Sequence, residues 1–394
     1  MRYTNTTGFR WSGIAFVFVT LVLTTCWQVD ASNDSLAWQQ PVPVVIWHGL
    51  GDRYDNKGLQ QLAPEIQQMY PGTYVHLIHF GTDGNGDQLS VSNPPNNVLK
   101  ENANLYGFRR STFFGNANEQ VEQACQELIE QPEIKQSKHF DAIGLSQGGQ
   151  LLRALIERCG HELKVRNLIT LGSQHMGISA VPPCPPGTSP FSPCRLMQLS
   201  LVRQGMYSTW AQKNIIPAQY FRDPNKFDEY LKVNEFLKDI NNERLMDSQT
   251  NADDGDDRPR NPTYKHNFSS INKLVLLRFS QDLTVVPPHS AHFTLPDPHD
   301  KQNCSNSDDE SCYPTPLPWS KLMLYKKDFI GLKRLNERGQ IVKQVCQGQH
   351  MQIDAECWEF VMSWLGPSGH GQSDMLSNDV EDDDDDSHSF VIQP

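Results

Sequence analysis

One short segment constrains this chain more than any other. Residues 140–145 (FDAIGL) form an apolar run of strand length, and residues 148–158 carry apolar positions at helical spacing. Between and overlapping them lies Gly144-Leu145-Ser146-Gln147-Gly148-Gly149, which fits G-x-S-x-G. A serine caught between a strand and a helix sits on a sharp, strained turn. Side chains two positions before and after it would collide there, and glycine occupies both places. The first N–H groups of the following helix then point at any negative charge that develops beside the serine. The segment therefore marks Ser146 as a nucleophile and predicts a strand–turn–helix around it.

The flanking sequence repeats the same alternation. Residues 42–47 (VPVVIW), 74–80, 165–171 and 274–279 (LVLLRF) read as further strands. Residues 59–69 and 118–130 read as helices, and a last helix is predicted near 353–364. Residues 81–108 read as a long loop. Strand–helix alternation predicts an α/β fold, a mostly parallel central sheet with helices on both faces. The pattern breaks over 175–270. Proline-rich turns (181–193), helices around 195–210 and 226–240, and a polar acidic stretch at 241–261 replace it. A helical insertion between two sheet strands is a common way to build a lid over a site. The expected organisation is a signal segment (1–31), a first core part (32–174), the insertion (175–270), a second core part (271–366) and an acidic tail (367–394).

A serine hydroxyl needs a base, and the base needs an acid to orient it. In α/β-hydrolases these follow the serine in the order acid, then histidine. His350 lies in a turn directly before the last helix, where that histidine belongs. His161, His299 and His370 lie in a helix end, a polar loop and the tail. Asp282 follows the LVLLRFS strand and is the acidic residue at the place where the acid belongs. An oxyanion hole needs two backbone N–H groups. Gln147 follows the nucleophile and supplies one. The loop His48-Gly49-Leu50-Gly51-Asp52 supplies the other at Leu50, its glycines allowing close backbone approach. His48 precedes the serine, against hydrolase order, and reads as a residue that shapes this loop. Such chemistry requires no metal and no cofactor.

The ends describe the compartment. Arg2 and Arg10 precede an apolar stretch at 13–23, and Val29-Asp30-Ala31 offers small residues for cleavage after Ala31. Thr24, Thr25 and Gln28 weaken the competing reading as a membrane anchor. No other run reaches spanning length, so no stable membrane span is expected. Of nine cysteines, Cys26 leaves with the signal, and the even remainder suits disulfides in an oxidising compartment. The absence of C-x-x-C argues against a zinc knuckle or a thioredoxin-type site. Asn33, Asn267 and Asn303 head glycosylation sequons. Much of the net charge of −12 sits in the tail, with its run from Asp382 to Asp386. The remainder is only mildly acidic, which argues against a nucleic-acid partner.

Several segments carry a family likeness: VVIWHGLGD (44–52), GLSQGGQLLRA (144–154), QHMG (174–177), QYFRDP (219–224), FLKDIN (236–241), and the surroundings of Asp282, Val286-Pro287, Gly348 and His350. Together they resemble the animal lysosomal palmitoyl-protein thioesterases of the long-chain type. The second animal type resembles the chain less, because its nucleophile and oxyanion segments differ. The resemblance covers about residues 40–366. It implies an α/β-hydrolase that removes long-chain acyl groups such as palmitate from thioester-linked cysteines of proteins or peptides during lysosomal degradation. Its location would be the lysosome, with some secretion. It carries Ser146, Asp282 and His350 as the triad and the Leu50 and Gln147 amides as oxyanion donors. It makes the insertion the acyl-binding part, with Met197, Leu199, Leu201, Met206, Tyr207, Trp210 and Phe236 as candidate lining. It also implies disulfides Cys125–Cys159 and Cys184–Cys194. For the other four cysteines the resemblance gives no guidance. Nearness in sequence favours Cys304–Cys312, which leaves Cys346–Cys357. Three departures stand out: Gln349 where the family usually has an acid, a Cys-bearing acidic loop at 297–317, and the tail. The alternatives are a secreted carboxylesterase or lipase acting on oxygen esters, and a catalytically inactive lipid-binding relative.

Overall fold

A strand covered by helices on both faces has no solvent side, so its residues must be apolar at every position. That is the condition of β3 (Phe140–Leu145), buried throughout, and of β1 (Val44–Trp47). The computed structural model describes residues 41–79, 112–243, 260–297, 315–366 and 390–391. With β2 (Val75–Leu77), β4 (Val165–Leu171), β5 (Lys273–Phe279) and β6 (Ile341–Cys346), these strands form a six-stranded sheet in the order β2-β1-β3-β4-β5-β6. Every pairing in it is parallel. The signal segment, Asn33, the loop at 81–108, Asn303, Cys304–Cys312, His299, His370 and the Asp run lie outside the described residues.

The side-chain period of two splits the core. Val45, Trp47, Ala142, Leu168, Leu274 and Leu276 face one layer, with apolar residues of the helices Ala117–Glu130 and Gln147–Cys159. Val44, Ile46, Ile143, Leu145, Ile169, Leu171, Val275 and Leu277 face the other, with the helices Lys57–Met69 and Ala355–Met362. This is an α/β-hydrolase fold. No described helix is long and apolar enough to cross a membrane.

The structure differs from the sequence reading in several places. β6 was not expected. Its positions are mostly half-buried and include Lys343 and Gln344, so it lacks the continuous apolar run of a central strand. The insertion is built from shorter helices than expected. The predicted helix at 195–210 divides into Pro193–Gln204 and Thr209–Asn214. Gly205 ends the first with φ 82°, and the Ser208 side chain caps the second by accepting from the Ala211 N–H. Asn267 is corrected as a glycan acceptor. Its side-chain nitrogen, the atom a glycan would occupy, is buried and donates to the Glu157 carbonyl at 3.0 Å. Disulfides join Cys125 to Cys159, Cys184 to Cys194 and Cys346 to Cys357.

The insertion is not uniformly apart from the core. Tyr220, Tyr230, Phe236, Leu237 and Ile240 are buried in the same cluster as the helix Gln147–Cys159. Met197, Leu201, Ala211, Ile215 and Ala218 form a separate cluster with Phe113, against which Leu50 packs. Leu199 and Trp210 are exposed on its outside.

Candidate active site

Ser146 ends β3 at φ 50°, ψ −119°, a conformation strained for any residue with a side chain. The strain is held by close packing that only glycine permits. A Cβ on Gly144 would stand 2.1 Å from the Gly149 Cα, and one on Gly148 would stand 2.1 Å from the Trp47 carbonyl oxygen. The Ser146 N–H donates to Leu171 O at 2.7 Å, fixing the turn to β4.

β5 and β6 deliver the other two side chains. Past β5, the Asp282 carboxylate is buried, and its Oδ1 accepts the N–H groups of Thr284 and Val285, each at 2.9 Å. Its Oδ2 lies 2.7 Å from His350 Nδ1. Past β6, the turn that carries His350 is held from three sides. Gln281 N donates to Gly348 O at 2.9 Å, Gly348 N donates to the Ser280 hydroxyl at 3.1 Å, and the Cys346–Cys357 bridge closes behind. Asp354 caps the final helix through the Cys357 N–H at 2.8 Å. The Phe279 ring meets the imidazole edge-on, with centroids 5.9 Å apart. His350 Nε2 then lies 2.9 Å from Ser146 Oγ. With Nδ1–H donated to Asp282, Nε2 is left bare to accept the serine proton.

The loop of residues 48–52 lies over the serine. His48 is buried and burial lowers its pKa to about 4, so it is neutral, with Nδ1 3.1 Å from Gly49 O. Gly51 has φ 81°, and Asp52 accepts from Arg53 N at 2.8 Å and from Asn56 Nδ2 at 2.7 Å. Two residues that sequence reasoning missed hold Gln147, and one of them, Thr112, ties it to this loop. The Thr112 hydroxyl accepts the Gly51 N–H at 2.9 Å, and its carbonyl accepts Gln147 Nε2 at 3.4 Å. The Tyr220 hydroxyl donates to Gln147 Oε1 at 3.1 Å. Thr112 sits in no motif, and nothing in QYFRDP (219–224) by itself points Tyr220 at Gln147. Their partners are distant in sequence and meet only after folding.

Three other described histidines after Ser146 have contacts of their own. His175 is buried beside Thr170 Oγ1 and stacked on Phe293, with ring centroids 4.3 Å apart; burial lowers its pKa well below the ordinary value. His292 Nε2 lies 3.1 Å from Gln344 O. His161 is exposed at a helix end.

A parallel sheet bearing hydroxyl, imidazole and carboxylate in series at the carboxyl ends of its strands defines an α/β-hydrolase. Comparison with known proteins narrows the class. The model of the family described as palmitoyl protein thioesterase matches residues 43–350. Palmitoyl-protein thioesterase 1 of Caenorhabditis elegans is 34% identical over 313 residues, covering 79% of this chain and 87% of that one. The lysosomal thioesterase PPT2 of Bos taurus is 28% identical, covering 76% and 78%. Among solved structures, a 2-hydroxy-6-oxo-6-phenylhexa-2,4-dienoate hydrolase from Rhodococcus sp. strain RHA1 is similar over 79% of this chain and 84% of that one, at 11% identity and a TM-score of 0.33. The chain belongs to the palmitoyl protein thioesterase family and is a thioester hydrolase.

Proposed function

We propose that the protein removes long-chain fatty acyl groups, palmitate among them, from cysteine thioesters of proteins and peptides during lysosomal degradation. The observation that carries this reading is the series Ser146 Oγ–His350 Nε2 at 2.9 Å and His350 Nδ1–Asp282 Oδ2 at 2.7 Å. The lysosomal setting draws support from relatives named lysosomal thioesterases. The S-acylated protein or peptide is the partner, with the 175–270 insertion receiving the acyl chain.

In this reading Ser146 Oγ attacks the thioester carbonyl while His350 Nε2 takes its proton. Asp282 holds the imidazole in the tautomer that can do so and stabilises the imidazolium. The Leu50 and Gln147 amides receive the charge on the carbonyl oxygen. The carbon–sulfur bond then breaks. A cysteine thiol has a pKa of roughly 8.5, so sulfur leaves with little help from an acid. His350 gives the proton taken from Ser146 to the departing sulfur and, neutral again, removes a proton from water, which attacks the acyl-enzyme; return of the proton to Ser146 Oγ releases the fatty acid.

The test is hydrolysis of an S-palmitoyl peptide by wild type and Ser146→Ala, with the oxygen ester of the same acyl group in parallel. Thioester turnover that depends on Ser146 supports the proposal. Preferential cleavage of the oxygen ester favours a carboxylesterase, and equal activity of the Ser146→Ala protein removes the assigned nucleophile.

A further inference from the structure

We propose that His76, His79 and Glu127 form a zinc-binding site that ties the end of β2 to the helix Ala117–Glu130. His76 lies on β2 and His79 just beyond it, while Glu127 comes from the last turn of the helix. The residues are far apart in sequence, yet their ligand atoms all lie within 4.8 Å of one another. Glu127 Oε1 stands 2.7 Å from His76 Nε2 and 3.2 Å from His79 Nδ1. Around a tetrahedral zinc, with bonds of roughly 2.0–2.2 Å, ligand atoms sit on the order of 3.3 Å apart. Small side-chain movements would therefore admit the ion. Two imidazoles and one carboxylate form a borderline donor set that suits zinc better than calcium or magnesium, which prefer oxygen.

A second layer supports His76. The Tyr74 hydroxyl lies 3.3 Å from His76 Nδ1 and 3.4 Å from Gln131 Oε1. If the hydroxyl proton goes to Gln131, the tyrosine oxygen accepts from His76 Nδ1–H. The bare lone pair at Nε2 then faces the Glu127 carboxylate, an arrangement that a cation between them stabilises. Outer-shell donors of this kind orient metal-ligating histidines. The His79 ring is held in turn by the Tyr54 ring, with centroids 5.0 Å apart. His76 and Glu127 are largely buried, whereas a third of the His79 side chain is exposed, which leaves a route for the ion and for a water as fourth ligand.

The role is structural. Among the described residues β2 is the outer strand of the sheet and pairs with β1 alone. The helix it would be tied to is anchored through Cys125–Cys159 to the helix that follows Ser146. A metal here would secure the sheet edge to that helix pair without touching the reacting groups.

The full chain is tested as purified, stripped with chelator and titrated with Zn2+ in competition with a chromophoric chelator. The absorption spectrum after Co2+ substitution is recorded alongside. Wild type should bind one zinc tightly, give the intense visible bands of tetrahedral cobalt, and melt at a higher temperature with zinc present. Glu127→Gln and His79→Ala should weaken zinc binding at least tenfold and abolish the bands. Tyr74→Phe should weaken it by about tenfold. Thioester hydrolysis by each variant should match that of metal-free wild type, which shows that the fold is retained. Active variants that bind zinc as wild type does would overturn the proposal, since the ion would then lie on other groups. Failure of the wild type to take up Zn2+ would overturn it equally.

Discussion

Gly49 lies directly against the nucleophile: a Cβ on it would stand 3.2 Å from the Ser146 Cβ and 3.3 Å from Leu145 O. The backbone of residues 48–52 approaches the serine so closely that any side chain here would press on Ser146 and Leu145 O. Gly49→Val should therefore push the loop away and withdraw the Leu50 N–H, with a loss of kcat of about 10²–10³-fold. Leu50→Ala keeps the N–H and should cost far less. Steady-state kinetics on an S-acyl peptide will compare them, and equal effects would argue that this loop is not the oxyanion hole.

Asp282 is the next point of test. Its Oδ2 faces His350 Nδ1, while its Oδ1 is already committed to two backbone N–H groups. An amide at this position would turn a donor toward either the imidazole or those N–H groups. Asp282→Asn should lower kcat by orders of magnitude, about 10⁴-fold where the wrong tautomer results. A value within tenfold of wild type would assign the orienting role to another group.

The Cys346–Cys357 bridge encloses the turn that carries His350. Its loop is short, with a sequence separation of 11, so its closure adds less to global stability than a long loop would. Its larger effect should fall on where the imidazole sits, since a displacement of about 1 Å can cost roughly 10²-fold in rate. The Cys346→Ser, Cys357→Ser double variant should lose more in kcat than in melting temperature. A variant with full kcat and a large drop in melting temperature would reverse that assignment.

The parts legible in the sequence are those whose physics is local. β3 and β4 were readable to the residue, because burial on both faces demands unbroken apolar runs. Ser146 was readable because its turn needs glycines at fixed offsets, and His350 because a turn before the last helix follows from sequence order. Asn267 shows the opposite case. A sequon is a three-residue pattern blind to burial, and here the asparagine nitrogen is spent on Glu157 O. β6 escaped notice because an outer strand with half-buried positions carries polar residues. Thr112, Tyr220 and the His76–His79–Glu127 group gain their meaning only from packing between distant segments.

Buried titratable groups outside the triad give the fold two opposed pH limbs. Burial lowers the pKa of His48 to about 4 and that of His292 to about 3, against 6.5 for an unperturbed histidine. The unfolded chain therefore binds more protons than the native one below pH 6.5. Stability from these residues is present above that pH and lost as pH falls toward 4, by roughly 2 kcal/mol for each at pH 5. Glu157 works the other way. It is fully buried, neither carboxyl oxygen has a hydrogen-bond partner among the described residues, and Arg153 approaches only to 3.7 Å. Burial outweighs that cation and raises its pKa from 4.5 to about 8, so the native state holds a proton that the unfolded state releases. Stability from Glu157 is present below pH 4.5 and lost as pH rises through 8. Urea midpoints taken at pH 5, 6.5 and 8 should be highest at the middle value. Glu157→Gln should remove the fall between pH 6.5 and 8 and steepen the rise between pH 5 and 6.5, because the Glu157 loss begins above pH 4.5 and the amide stays neutral throughout. His292→Gln should flatten the acid limb alone, its side-chain amide still able to donate to Gln344 O. If both variants keep the wild-type profile, the limbs arise from other groups.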